Sequence, residues 1–168
     1  MKTLLTAALA AFLLAGCASF DGRGLVPGQS TAKEVETLMG VPAERIRLPD
    51  GDTNWYYPRQ PDGRMMFVVR MSPEGVMRSK DQLLTEQNIA RLVPGTTTRE
   101  EARVIVGPPW RVAQFERMQR EVWEYYMYNA EQMNYFLYAQ FSPDGIVREV
   151  IVLKDYTKEP GGNSDGKD

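Results

Sequence analysis

The chain has no histidine and only one cysteine, Cys17, in 168 residues. Without histidine it lacks the commonest general base and the commonest metal ligand. A single cysteine rules out intrachain disulfides and Cys/His zinc sites, so any fold must stand on its apolar core. The formal net charge is −2, from 20 basic against 22 acidic side chains. That balance offers no strongly basic face for nucleic acid. No apolar run reaches the roughly 20 residues that span a bilayer. There is no G-x-S-x-G elbow and no phosphate-cradling glycine loop. Asp50-Gly51-Asp52-Thr53-Asn54 begins like a calcium loop, but Trp55 stands where glycine is required and Pro61 where the chelating glutamate belongs. Glu121 and Glu124, three apart on a strand, point to opposite faces and cannot act as a carboxylate pair. The expectation is a non-enzyme with no metal and no cofactor.

What the chain does have, it has twice. Leu25-Val26-Pro27-Gly28 returns as Leu92-Val93-Pro94-Gly95, 67 residues later. Thr31-Ala32-Lys33-Glu34 returns as Thr98-Arg99-Glu100-Glu101, and Gly40-Val41-Pro42 as Gly107-Pro108-Pro109. Trp55-Tyr56-Tyr57 is answered by Trp123-Glu124-Tyr125 at 68, and Ser72-Pro73-Glu74-Gly75 by Ser142-Pro143-Asp144-Gly145 at 70. The register drifts only where loops belong. A period of this length is too long for a solenoid unit and suits two small domains in tandem.

Each copy opens with a T-x-x-E capping box, Thr31/Glu34 and Thr98/Glu101. Apolar residues follow at helical spacing: Val35, Leu38 and Met39, then Ala102, Ile105 and Val106. Gly40 and Gly107 are placed as helix stops, and Pro42 and Pro109 forbid continuation. Pro-Asp-Gly and Pro-Glu-Gly turns then separate short strand-like runs at 45–48, 53–58, 65–71 and 76–80. The second copy offers 111–115, 121–128, 134–142 and 146–153. A short extra helix is expected between the copies, from Thr85 to Leu92. The predicted class is α+β: two tandem domains, each a small helical layer on an antiparallel meander.

The N-terminus resembles a bacterial lipoprotein signal. Lys2 is a short basic region, Leu4 to Leu14 an apolar one, and Leu14-Ala15-Gly16-Cys17 the cleavage box. The resemblance implies cleavage before Cys17, covalent lipid on its thiol and several acyl chains, enough for stable anchoring. Ala18 and Ser19 replace the aspartate that marks inner-membrane retention in such lipoproteins, which implies the outer membrane, facing the periplasm. With this box, Leu84-Thr85-Glu86-Gln87-Asn88-Ile89 leading into Val93-Pro94-Gly95-Thr96-Thr97-Thr98, the Gly107-Pro108-Pro109 exit and Asp52-Thr53-Asn54-Trp55-Tyr56-Tyr57, the chain resembles the BamE/SmpA/OmlA lipoproteins. That family packs a helical pair on a three-stranded sheet. Its tandem form occurs in β-lactamase inhibitor proteins, which grip another protein with their sheet. The resemblance implies an accessory factor in outer-membrane β-barrel assembly, with subunits of that machinery as partners. The alternative is a periplasmic inhibitor of an exported enzyme. Expected segments are a signal at 1–16, a lipidated linker at 17–24, repeats at 25–80 and 81–157, and a disordered tail at 158–168.

Strand alternation divides the aromatic residues into two faces. Trp55, Tyr57, Phe67, Val69 and Met71 in one copy, and Trp123, Tyr125, Met127, Leu137, Ala139 and Phe141 in the other, are expected to form the cores. A two-layer domain buries one face of its sheet. The opposite face would then expose Tyr56, Arg70, Tyr126, Tyr128 and Tyr138, residue types that anchor protein partners. For the anchor, Cys17→Ser should abolish palmitate labelling and release the protein from the outer-membrane fraction. Equal labelling of the two proteins would overturn it.

Overall fold

The computed structural model describes residues 21–157; the expected signal segment, Cys17 and the tail lie outside them. Both capping boxes form. The Thr31 hydroxyl accepts the Glu34 amide while the Glu34 carboxylate takes the Thr31 amide at 2.7 Å. Thr98 and Glu101 repeat this at 3.1 and 2.9 Å. The helices are α1 (Ala32–Met39), the short α2 (Glu86–Ile89, capped by Thr85) and α3 (Arg99–Val106). α1 and α3 stop at Gly40 (φ +84°) and Gly107 (φ +83°), a backbone conformation L side chains rarely adopt. No helix among the described residues is long and apolar enough to cross a membrane.

The strands form two antiparallel meanders. β1 (Glu44–Arg47), β2 (Thr53–Pro58), β3 (Met66–Met71) and β4 (Met77–Gln82) make the first sheet in that order. β5 (Arg111–Phe115), β6 (Arg120–Tyr128), β7 (Asn134–Phe141) and β8 (Val147–Lys154) make the second. Each sheet thus has four strands, as the turn spacing predicts, one more than the family sheet named above. Each Pro-Gly turn before α1 and α3 is sewn to the last strand of its own sheet. Gly28 N–H donates to Met77 O at 2.7 Å and Met77 N–H to Ser30 O at 2.8 Å. Gly95, Val147 and Thr97 repeat the pattern at 2.7 and 2.8 Å.

Two apolar clusters hold the molecule. The smaller joins Val35 and Met39 of α1 to Trp55, Tyr57, Val69, Met71 and Met77, with Phe67 packed at its margin. The larger joins Ala102, Ile105 and Val106 of α3 to Trp123, Tyr125, Met127, Leu137, Ala139 and Phe141. These are the core faces that alternation predicts. The larger cluster does not stop at its own sheet. It also takes in Tyr56, Met66 and Val68 from the opposite face of the first sheet, with Leu83, Leu84, Ile89 and Leu92 from the connecting segment. α3 therefore serves two sheets at once.

This corrects one expectation. Tyr56 is not exposed: its relative accessibility is 0%. The rule that a small domain buries one sheet face fails for the first sheet because the second repeat covers its other face. The helices differ as well: Ile105 is buried in the larger cluster, which includes Ile89 and Leu92 of the connecting segment, whereas Leu38, its counterpart on α1, belongs to neither cluster and is half-buried.

Polar contacts close the seam. Arg103 of α3 pairs with Glu44 of β1. The β2–β3 turn reaches across, so that Gln60 Oε1 accepts the Tyr126 amide at 2.7 Å and Arg64 pairs with Asp155 at 2.6 Å, both side chains buried. Replacing Tyr56 with alanine should cost roughly 3–5 kcal/mol of unfolding free energy through the cavity it leaves, as should Trp123→Ala. Urea titration measures this. A Tyr56→Ala midpoint equal to wild type would show that the seam is not part of the cooperative core.

Candidate functional site

The first sheet is covered on both faces; the second is covered on one. Its open face follows from register. Glu124 lies opposite Arg111 and Tyr138, Tyr126 opposite Phe136, and Phe136 and Tyr138 opposite Leu153 and Ile151. These side chains share one side of a pleated sheet, away from α3.

The centre of this face is an aromatic ladder. The Tyr126 and Phe136 rings lie 5.1 Å apart, Phe136 and Tyr138 stack at 6.0 Å, and Trp110 meets Tyr126 edge-on at 6.4 Å. At one side Phe115, Met118, Val122, Tyr138 and Ile151 line a shallow depression of about 240 Å³. Trp110, Phe115, Met118 and Leu153 are each about half exposed. Arg111 clamps the Glu124 carboxylate with two hydrogen bonds of 2.8 and 2.9 Å. Burial, with the Glu124 carboxylate second, raises the Tyr138 phenol above its usual range, so at neutral pH it stays a hydrogen-bond donor. At the other end the Arg64 guanidinium sits 5.1 Å from the Tyr126 ring centre.

The expected site residues divide. Tyr126 and Tyr138 share the open face. Tyr128 lines a cleft with Met65, Leu84 and Thr85, at the junction of the repeats. Tyr56 is inside the seam. Arg70 lies on the first sheet, half-exposed, paired with Asp50 and with Asp52 at 2.6 Å. Asp52 also accepts Arg78 at 2.9 Å. Burial alone would raise the Asp52 carboxyl, but its bonds from Arg70 and Arg78 outweigh that and hold it below its usual range. The segment that opens like a calcium loop is thus a turn whose carboxylates are ion-paired to arginines of β3 and β4. Trp110, Phe115, Met118, Ile151 and Leu153 belong to the face and were not among the expected residues. Alternation along β8 could have found Ile151 and Leu153. Met118 depends on the 3₁₀ turn Glu116–Met118, which has no counterpart in the first copy's strand pattern.

Glu121 and Glu124 do point to opposite sides. Glu121 bonds Trp123 Nε1 at 2.8 Å and Arg99 at 3.0 Å on the α3 side, whereas Glu124 lies on the open face. Among the described residues no cluster of three or more acidic or cysteine side chains is placed to hold a metal.

The architecture defines an α+β protein of two four-stranded antiparallel sheets with short helices, consistent with two small domains in tandem. No family model and no curated protein matches the chain. Among solved structures it is similar to a DUF4309 family protein (YjgB) from Bacillus subtilis, at 16% identity and a TM-score of 0.29. That match covers 82% of this chain and 90% of the other. A likeness at this level carries no argument about function.

The Arg64–Asp155 pair beside the ladder sets an acid limit. Burial would push the Asp155 carboxyl up, but bonds from the Thr157 hydroxyl and amide and from Arg64 outweigh it, and the carboxyl sits below its usual range. A depressed folded-state value gives stability that is present above the unfolded value of about 3.9 and is lost as pH falls through the folded one. Asp155→Asn should therefore lower the urea midpoint at pH 7 and shrink the loss of stability on acidification below about pH 4. Parallel midpoint-versus-pH curves for the two proteins would show that Asp155 contributes nothing to the acid limb.

Proposed function

We propose that the chain is a non-catalytic lipoprotein of the outer membrane, held by lipid on Cys17, that docks other proteins on the open face of its second sheet. In this reading it is a tandem BamE/SmpA/OmlA-like protein and an accessory factor in outer-membrane β-barrel assembly. One observation carries the docking role. The second sheet leaves a continuous aromatic face from Trp110 through Tyr126 and Phe136 to Tyr138, whereas the matching face of the first sheet is buried. Contiguous, partly exposed apolar area, rich in tyrosine and edged by arginine, is the composition of interface centres. The lipobox and the family motifs supply the location and the machinery.

A second reading keeps the surface and changes the partner: inhibition of an exported enzyme. The aromatic sheet face favours it, since the tandem inhibitors grip through their sheet. In-cell crosslinking followed by affinity capture separates the two readings. Assembly-machine subunits would support the first and a soluble hydrolase the second. Tyr138→Ala and Phe136→Ala should weaken capture by roughly 1–3 kcal/mol at a hot spot, with the melting temperature moving only a few degrees. Unchanged capture by both variants would move the interface elsewhere.

A further inference from the structure

The seam inside the molecule is a template, and the chain carries an unused copy of each half. In the seam the first sheet presents Tyr56, Met66 and Val68, joined by Leu83, and the end of α3 presents Gly107, with Arg103 pairing to Glu44. Met66 lies against Gly107, where an added Cβ would stand 2.5 Å from Met66 Cγ. The repeat maps each of these onto a second position. The sheet half becomes Glu124, Phe136, Tyr138 and Leu153, with Arg111 in place of Glu44. The helix half becomes Gly40, with Glu36 in place of Arg103.

Both unused halves are open. Leu83 is 7% accessible and its counterpart Leu153 is 52%. Nothing lies within 4 Å of a Cβ built on Gly40, which has the same backbone conformation as Gly107. Val41, just beyond it, is 78% accessible. The Tyr125 hydroxyl donates to Gly107 O at 2.9 Å, but the equivalent hydroxyl of Tyr57 has no hydrogen-bond partner. The seam's ion pair also survives the mapping with its signs exchanged. Glu44 to Arg103 within the chain becomes Arg111 to Glu36 between chains. Arg111 and Glu36 each keep substantial exposure beside their present partners Glu124 and Arg45.

We infer that the open face of the second sheet receives α1 of a second copy of this chain, head to tail, in the geometry of the internal seam. This rests on the docking reading above and names the occupant. The contact is heterologous: each copy that is added offers the same open face again, so association proceeds beyond a dimer unless something caps it.

The test uses the full chain in a Cys17→Ser background, in mild detergent, where no native thiol remains. Val41→Cys and Phe136→Cys are made separately. Under mild oxidation a disulfide-linked pair should form when the two proteins are mixed and not in either alone. Sedimentation of the background protein should show mass rising with concentration past the dimer. Arg111→Glu and Glu36→Arg should each weaken association about tenfold, and a mixture of the two should recover it. Linkage of Phe136→Cys to itself would mean face-to-face pairing and overturn the inference. So would a monomer at every concentration with no linkage in the mixture. Crosslinked capture of a different protein on the same face, together with that monomer, would leave the proposed function standing without this inference. Head-to-tail linkage without any such capture would do the opposite.

Discussion

Everything in this molecule hangs on one helix packed from both sides. α3 is two turns long, too short to persist in water alone. Ala102, Ile105 and Val106 nevertheless share one cluster with both sheets. A sheet has two faces, and a small helical layer covers one. Stacking two copies lets the helix of the second cover the spare face of the first. One short element thus removes two apolar surfaces from water. It also makes the first sheet's burial conditional on the second repeat, because Tyr56, Met66 and Val68 have no cover from their own repeat's helix.

The two copies keep their inner faces alike and their outer faces different. Trp55 and Tyr57 correspond to Trp123 and Tyr125, and both pairs lie beneath a capped helix. On the other side Tyr56 corresponds to Glu124, Met66 to Phe136 and Val68 to Tyr138. The buried version is uncharged at these three positions and keeps its ion pair, Glu44 with Arg103, across the seam. The open version closes its ion pair within the sheet, Arg111 with Glu124, and carries phenolic tips able to hydrogen-bond while their rings pack. Such a surface can tolerate water and still bury well, as an interface centre with a polar rim does.

Much of this was legible in the sequence, and what was not has a physical reason. Capping boxes, Gly stops and Pro-Gly turns are local, so α1, α3 and the eight strands follow from a few residues each. β2 and β5 carry the expected bounds, and the other strands differ by a residue or two at their ends. Face assignment worked for Trp55, Tyr57, Trp123 and Phe141, because alternation is also local. It failed at Tyr56, where burial is decided by a helix more than 40 residues away in the chain. Of the candidate site, Tyr126 and Tyr138 were readable from alternation. Phe115 was equally readable, two alternations along β5 from Arg111, whereas Trp110 and Met118 were not, because they reach the face through a loop and a 3₁₀ turn rather than through periodicity.

The sewn Pro-Gly turns bear on how such a chain can be delivered. Gly28 is tied to Met77 and Gly95 to Val147, so the opening of each repeat waits for that repeat's last strand. Contacts of this range close late, because the loop entropy must be spent before the bonds form. A chain emerging N-terminus first through a narrow channel would therefore hold its first helix unmoored until most of the repeat had passed. It would hold the far side of its first sheet bare until α3 and the second sheet had followed. Slow closure keeps a polypeptide threadable, and it leaves a sticky intermediate that must be shielded in transit.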